Sequence, residues 1–467
     1  MIVVFVHGWS VTHTETYGGL PEALAAQAAA AGLDLEVRHL HLGRYVSFHD
    51  EVTVGDLARA FDAALRADLP NNANGRVVFS CITHSTGGPV VREWVERYHG
   101  EDLSRSPLRH LVMLAPANHG SALAQLGKSR LGRIASFFKS IEPGVQVLRW
   151  LELGSDGQWE LQRRWLDARP QDSGFFPFVL TGQTIDSKLF DHLNSYTGEV
   201  GSDGVVRVSA ANMNYRHVFL RQTDRQVPGK RQNDPTSFLD PDLTRTRRSP
   251  RVPLGIIPGA AHSGDKIGIM RSVSATNAGT KPVVGTILRC LGVTSAADYK
   301  AVGTELDELT QRTQATEGIP RCAMIVFDVR DDQGDPITEY DMLLLAGLRY
   351  DPDKLPKGFF VDRQMNSLAR HRLVYYLNCD VMHQVLDGQL GFRIVARPRE
   401  GFSYFHAGEF RSDDAGIPVT QLLTPNETLY VEVVLRRRVD RETFRLDPAT
   451  NGPSSFKRVK PGGEIVA

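Results

Sequence analysis

A chain of 467 residues is too long for one ordinary hydrophobic core and implies two domains with insertions. Its 41% hydrophobic and 23% charged residues are the balance of a soluble globular protein. Lys+Arg and Asp+Glu both total 54, so no net field draws in a polyanion, which argues against nucleic acid as a partner.

Strand and helix signals alternate from the start. Ile2 to Val6 is a short β-branched run that suits a buried strand. Pro21 to Ala31 is Ala-rich and helical by propensity, with Gly32 as its stop. Leu35 to Leu40 reads as a second strand and Val54 to Leu69 as an amphipathic helix. Arg76 to Ile82 is a β-branched strand, Pro89 to Tyr98 a helix, and Leu108 to Leu114 a further strand. Strands separated by helices predict an α/β fold built on a parallel sheet with right-handed crossovers.

From Ser121 to about Leu166 that pattern gives way to large apolar residues at roughly helical spacing, among them Leu131, Phe137, Phe138, Leu148 and Trp150. Phe175 to Gly182, Val205 to Ser209 and Val252 to Ile257 return to strands. Between the last two, Arg221 to Arg251 is polar and Arg-rich and reads as a long solvated excursion. Beyond about residue 310 come short β-rich runs without intervening helices: Ala323 to Val329, Met342 to Leu345, Leu373 to Leu377, Gly391 to Ala396 and Thr428 to Leu435. They predict an antiparallel sandwich. The expected organisation is an α/β domain over 1–310, with an insertion at 121–170 and the excursion at 221–251, followed by a β-rich accessory domain over 311–467.

The four cysteines, Cys81, Cys290, Cys322 and Cys379, are scattered without a CxxC pair, which points to free thiols rather than a zinc knuckle or a disulfide framework. No stretch is apolar for the roughly 20 residues that a membrane span requires. Met1 to Val6 is apolar but lacks a basic leader, so the expectation is synthesis in the cytoplasm with no export by the general secretory route.

The sharpest chemical signal runs from Val77 to Pro89: a buried strand, a tight turn holding Ser85, then a helix. A serine at such a turn is pushed outward, its hydroxyl exposed at the carboxyl end of the sheet. Gly87 and Gly88 let the helix approach the strand, and Pro89 suits a first helical turn. The helix N-terminus lends positive potential to a developing oxyanion. Thr83-His84-Ser85-Thr86-Gly87 resembles the Gly-x-Ser-x-Gly turn of the α/β-hydrolase family, within its lipase branch, with Thr83 in place of the first glycine. His84 and Gly87 support the turn in this reading.

Three further segments carry the resemblance. Val3-Val4-Phe5-Val6-His7-Gly8-Trp9 is similar to the strand plus His-Gly element of the family's oxyanion hole, which implies backbone N–H donors at Trp9 and Thr86. Gly201-Ser202-Asp203-Gly204-Val205-Val206 is similar to the element whose Asp orients the catalytic histidine, with Asp186 and Asp191 as rivals. Ile256 to Gly264 places His262 beyond a late strand, where it completes the order Ser, Asp, His; His217 is the rival base. A serine hydroxyl needs such a base to become a nucleophile. Asp-Gly and His-Gly are also ordinary turn pairs, and that plainer reading stands beside the catalytic one.

Leu114 to Ser121 resembles the lipase segment that leads into a lid, so 121–170 reads either as a lid with an apolar face or as a cap packed on the core. The resemblance implies a lipase or phospholipase that cleaves a lipid carboxylic ester through an acyl-enzyme. A non-lipid carboxylesterase and a non-catalytic binding protein of the same fold are the alternatives. Membrane contact would fall to the lid or to C-terminal aromatics, Phe359, Phe360, Phe402, Tyr404 and Phe405, which suit a sandwich core equally well. The architecture also resembles lipolytic toxins injected by contact-dependent secretion, and a protein inhibitor is left open. No cofactor is implied, and no metal: there is no HExxH, and His13, His39, His41 and His49 lack ligand spacing.

Overall fold

The structure, a computed structural model, describes residues 1–7, 16–47, 49–69, 71–72, 75–126, 144–185, 199–228, 235–384, 389–398 and 402–439. Its principal strands in the first half of the chain are β1 (Ile2–His7), β2 (Glu36–His41), β3 (Phe79–His84), β4 (Leu108–Leu114), β5 (Phe176–Thr181), β6 (Tyr215–Gln226), β7 (Thr236–Pro241), β8 (Arg247–Arg248) and β9 (Leu254–Ile256). The second half adds β10 (Cys322–Asp331), β11 (Tyr340–Ala346), β12 (Phe360–Met365), β13 (Arg372–Asn378), β14 (Leu390–Ala396), β15 (Ala407–Arg411) and β16 (Thr428–Leu435).

Six strands form a parallel sheet in the order β9-β5-β4-β3-β1-β2. β-Branched and aromatic residues such as Val3, Val4, Phe5, Phe178 and Val179 are fully buried, as expected when helices cover both faces. One face is covered by α2 (Val54–Asp68) and α3 (Gly87–His99), the other by α1 (Leu20–Ala28) and the helix Pro282–Leu291. Helix α2 starts on a reciprocal cap: the Thr53 hydroxyl accepts the Asp56 N–H at 3.1 Å and Asp56 accepts the Thr53 N–H at 3.0 Å. Its Phe61 packs edge-on against Trp94 of α3, ring centroids 5.3 Å apart. The 22-residue helix Ala296–Glu317 runs along the edge strand β9, where Thr313 donates to the Ile256 carbonyl and Thr310 accepts the Ile256 N–H, both at 3.0 Å. A covered edge offers no pairing surface to another chain.

The second sheet has ten strands, nine of them in the order β11-β14-β15-β7-β6-β16-β10-β13-β12, with β8 paired to β6. It is mixed rather than antiparallel: β16 runs parallel to both β6 and β10, and β15 parallel to β7. The sheet curls onto itself, so that Phe327 of β10 meets Phe392 of β14 with centroids 4.9 Å apart. The Tyr375 hydroxyl of β13 donates to the Met342 carbonyl of β11 at 3.0 Å. Side chains alternate by strand period: Ala323, Ile325 and Phe327 line the inside of the curl, while Met324 and Val326 face the α/β part. There, with Val374, Tyr376 and Tyr430, they join one continuous core with Trp94, Trp159, Val205 and Ala210.

Three sequence expectations change. The described part of the Arg-rich stretch 221–251 is no free excursion, because β6 and β7 carry residues 221–226 and 236–241 into the centre of the second sheet. Two of its arginines lie over aromatic rings, Arg245 at 3.4 Å from Phe219 and Arg225 at 4.1 Å from Phe238, and pair with Glu432 and Asp240. The second sheet therefore takes strands from both sides of residue 310. The strand expected at Val205 to Ser209 is a turn followed by the short helix Val208–Ala211, held by Ala211 N–H to the Arg207 carbonyl at 2.9 Å. Within 121–170, the described helices Val145–Leu151 and Asp156–Trp165 pack on the core through Leu151, Leu161 and Trp165. Leu131, Phe137 and Phe138 lie outside the described residues.

Candidate active site

Ser85 sits between β3 and α3 with φ +53°, a left-handed conformation that a residue with a Cβ adopts at a cost. The turn is pinned by the Ser85 N–H to the Leu114 carbonyl at 3.0 Å and the Gly88 N–H to the Ser85 carbonyl at 3.3 Å. Helix α3 can come this close because its first residues lack side chains. A Cβ at Gly88 would stand 2.9 Å from the Pro116 Cβ, and one at Gly87 would stand 3.2 Å from the Thr83 Cβ. Thr83 is tolerated at the start of this turn because the positive φ falls on Ser85 and Gly87 leaves room for the threonine.

Asp203 and His262 lie 59 residues apart in sequence and meet in space: the Nδ1–H of His262 donates to Asp203 Oδ2 at 2.9 Å. The other ring nitrogen, Nε2, lies 3.2 Å from Ser85 Oγ. Asp203 and His262 are both fully buried, whereas Ser85 is partly open. Oδ1 of Asp203 accepts the N–H groups of Val205 at 3.0 Å and Val206 at 2.8 Å, which fixes the carboxylate to its own loop. The His262 loop is tied to it by the His262 N–H to the Asp203 carbonyl at 3.0 Å.

His84, beside the serine, donates from Nε2 to the carbonyl of His262 at 3.0 Å, and the two rings lie 4.6 Å apart, tilted by 51°. Desolvation, and then His262, hold the His84 imidazole well below its ordinary pKa, in the neutral form that this contact uses. No local pattern marks that role, because its partner is 178 residues away.

The Thr86 amide stands at the N-terminus of α3, where the first N–H groups of a helix have no intrahelical partner. Gly8, Trp9, Asp186 and Asp191 lie outside the described residues. His7 ends β1, buried, its Nε2 2.9 Å from His39 Nδ1 and its ring stacked on His41 at 4.3 Å. His217 lies elsewhere, on β6 against Trp159 and 4.0 Å from Glu432.

Phospholipase PlaB from Legionella pneumophila superposes on this chain with a TM-score of 0.86 at 45% identity, over 100% of both chains. The chain belongs to the PlaB phospholipase family of α/β-hydrolases. A second solved structure of that phospholipase, in complex with thio-NAD, matches at TM-score 0.86 and 44% identity, again over 100% of each chain. No family model and no curated protein sequence matches the chain. Because the PlaB match spans the whole length, the curled second sheet is part of the family's architecture and not an appendage of this chain.

Proposed function

We propose that this protein is a serine hydrolase that cleaves carboxylic ester bonds of phospholipids, with Ser85 as nucleophile, His262 as general base and Asp203 as its orienting acid. The observation that carries the reading is the Asp203–His262–Ser85 hydrogen-bonded series on a strained strand-to-helix turn. The phospholipase that matches over the whole chain supports the substrate class.

In this reading Ser85 Oγ attacks the ester carbonyl while His262 Nε2 takes its proton. The Nδ1–H bond to Asp203 keeps Nε2 unprotonated beforehand and stabilises the imidazolium afterwards. The Thr86 N–H faces the developing oxyanion as one donor of the hole, a contribution of roughly 3 kcal/mol in comparable sites. His262 then returns the proton to the departing lysolipid alcohol, leaving the acyl group on Ser85. Water, deprotonated by the same nitrogen, releases the fatty acid.

The substrate test compares turnover on phospholipid vesicles, emulsified triacylglycerol and a short p-nitrophenyl ester. Fatty acid release from phospholipid at the highest rate is the expected outcome. Cleavage of the soluble ester alone would make the protein a non-lipid carboxylesterase. The thio-NAD complex of PlaB supports a nicotinamide dinucleotide as an added ligand, which a rise in Tm on adding NAD would register.

A further inference from the structure

The loop that carries Asp203 is gripped by the second sheet. Glu199 and Arg207 close its base as a two-pronged pair, Arg207 Nε to Glu199 Oε2 at 2.8 Å and Nη2 to Oε1 at 2.6 Å. The same guanidinium pairs with Asp362 of β12 and lies 4.2 Å over the ring of Tyr376 of β13. The Tyr376 hydroxyl reaches the carbonyls of Val200 at 2.9 Å and Gly201 at 3.1 Å. Gly201 has φ +71°, and a Cβ there would stand 2.7 Å from that hydroxyl, so the backbone presses onto the tyrosine as closely as glycine permits. Beyond the loop, Thr428 of β16 donates to the Ser209 carbonyl at 2.8 Å, and Asn212 donates to the Asn426 carbonyl at 2.7 Å.

Arg207 is 1% exposed, and a cation so buried persists only where acids and acceptors meet it. One of its two acids, Glu199, belongs to the loop itself; the other comes from the second sheet. Oδ1 of Asp203 is bonded to the N–H groups of its own turn, so the carboxylate moves with the loop, and its Oδ2 and carbonyl bonds run to His262, the residue it faces.

We propose that Arg207, Tyr376 and Asp362 are positioning residues for Asp203, so that the second sheet sets where the carboxylate stands against His262. This rests on the reading of Ser85, His262 and Asp203 as a triad. A displacement of about 1 Å at a catalytic group commonly costs about 100-fold in rate, so a loosened grip is read in turnover. The reaction itself uses none of the three. Their effect passes entirely through the Asp203–His262 bond.

The test uses the full chain with Tyr376→Phe, which removes only the hydroxyl, and Asp362→Asn, which removes one charge at a partly exposed site. Both are assayed on a short soluble ester, alone and combined with Asp203→Asn, after thermal melting shows that each is folded. The expected result is a fall in kcat of about 10- to 100-fold with KM held within about twofold. Asp362→Glu restores part of the rate. In the Asp203→Asn background, Tyr376→Phe and Asp362→Asn change the residual rate less than about twofold. Undiminished losses in that background overturn the proposal, as do single variants with wild-type kcat. If Asp203→Asn alone leaves kcat unchanged, the triad reading itself falls.

Discussion

His110 on β4 lies in the core between Ser80 Oγ, 2.7 Å from Nδ1, and the Val293 carbonyl, 2.7 Å from Nε2. Nε2 must donate to the carbonyl, so Nδ1 accepts from the serine and the ring is neutral. Burial holds its pKa down to about 4. His217 is likewise held to about 4 and His119 to about 3, with burial the leading cause in each. The unfolded chain protonates these rings near pH 6.5 and the folded one does not, so their contribution is whole above 6.5 and is lost as pH falls toward 4. We predict that unfolding free energy declines across that interval. Replacing His110 with Gln should make the decline shallower by up to about 1.4 kcal/mol per pH unit, measured by urea unfolding at pH 5 and 6. A slope equal to wild type would contradict it. Also at this scale, Asp203→Asn should lower kcat by about 10⁴-fold with little change in KM. Ser85, Asp203 and His262 were legible because each stands in a short local motif and in the order Ser, Asp, His. Arg207, Tyr376 and Asp362 were not, since each meets a partner brought near only by the fold; His84 was read as a support of the turn, but its bond to the His262 carbonyl was hidden for the same reason.

The Ser85 turn is the element on which close packing bears most directly. Gly88→Ala would place its Cβ 2.9 Å from Pro116 and 3.2 Å from the Met113 sulfur, which pushes α3 off β3 and β4. The expected cost is about 1–3 kcal/mol of stability, with a lower kcat at unchanged fold, read from Tm and turnover together. The strands and helices of the parallel sheet could be read from hydrophobic period because β-branched runs and amphipathic helices alternate there. Strands β6 and β7 defeated that reading. Phe219 and Phe238 are covered by arginine guanidinium groups, so a segment whose charges looked solvated contributes strands to a sheet. Pairing direction was equally hidden, since β16 lies parallel to strands 213 residues before it and 104 residues before it at matched positions such as Tyr430, His217 and Val326.

At the scale of the whole molecule the two sheets share one core, and this alters what a truncation can report. Removing everything after residue 315 would uncover Trp159, Val205 and the Arg207 guanidinium at once. We predict aggregation or a molten chain, seen as loss of the cooperative melt, and not a trimmed enzyme with a docking defect. A soluble fragment that melts cooperatively would contradict the shared core. Phe359 lies in the core and Phe405 packs against it, leaving Phe360, Phe402 and Tyr404 as the exposed aromatics of the group. The central claim is that this fold activates Ser85. It is tested most directly by fluorophosphonate labelling of wild type, Ser85→Ala and His262→Ala, with the labelled peptide mapped by mass spectrometry. The account predicts one adduct on Ser85 in the wild type, none in Ser85→Ala and a labelling rate reduced by about 10³-fold or more in His262→Ala. An adduct on another residue, or unchanged labelling without His262, would contradict it.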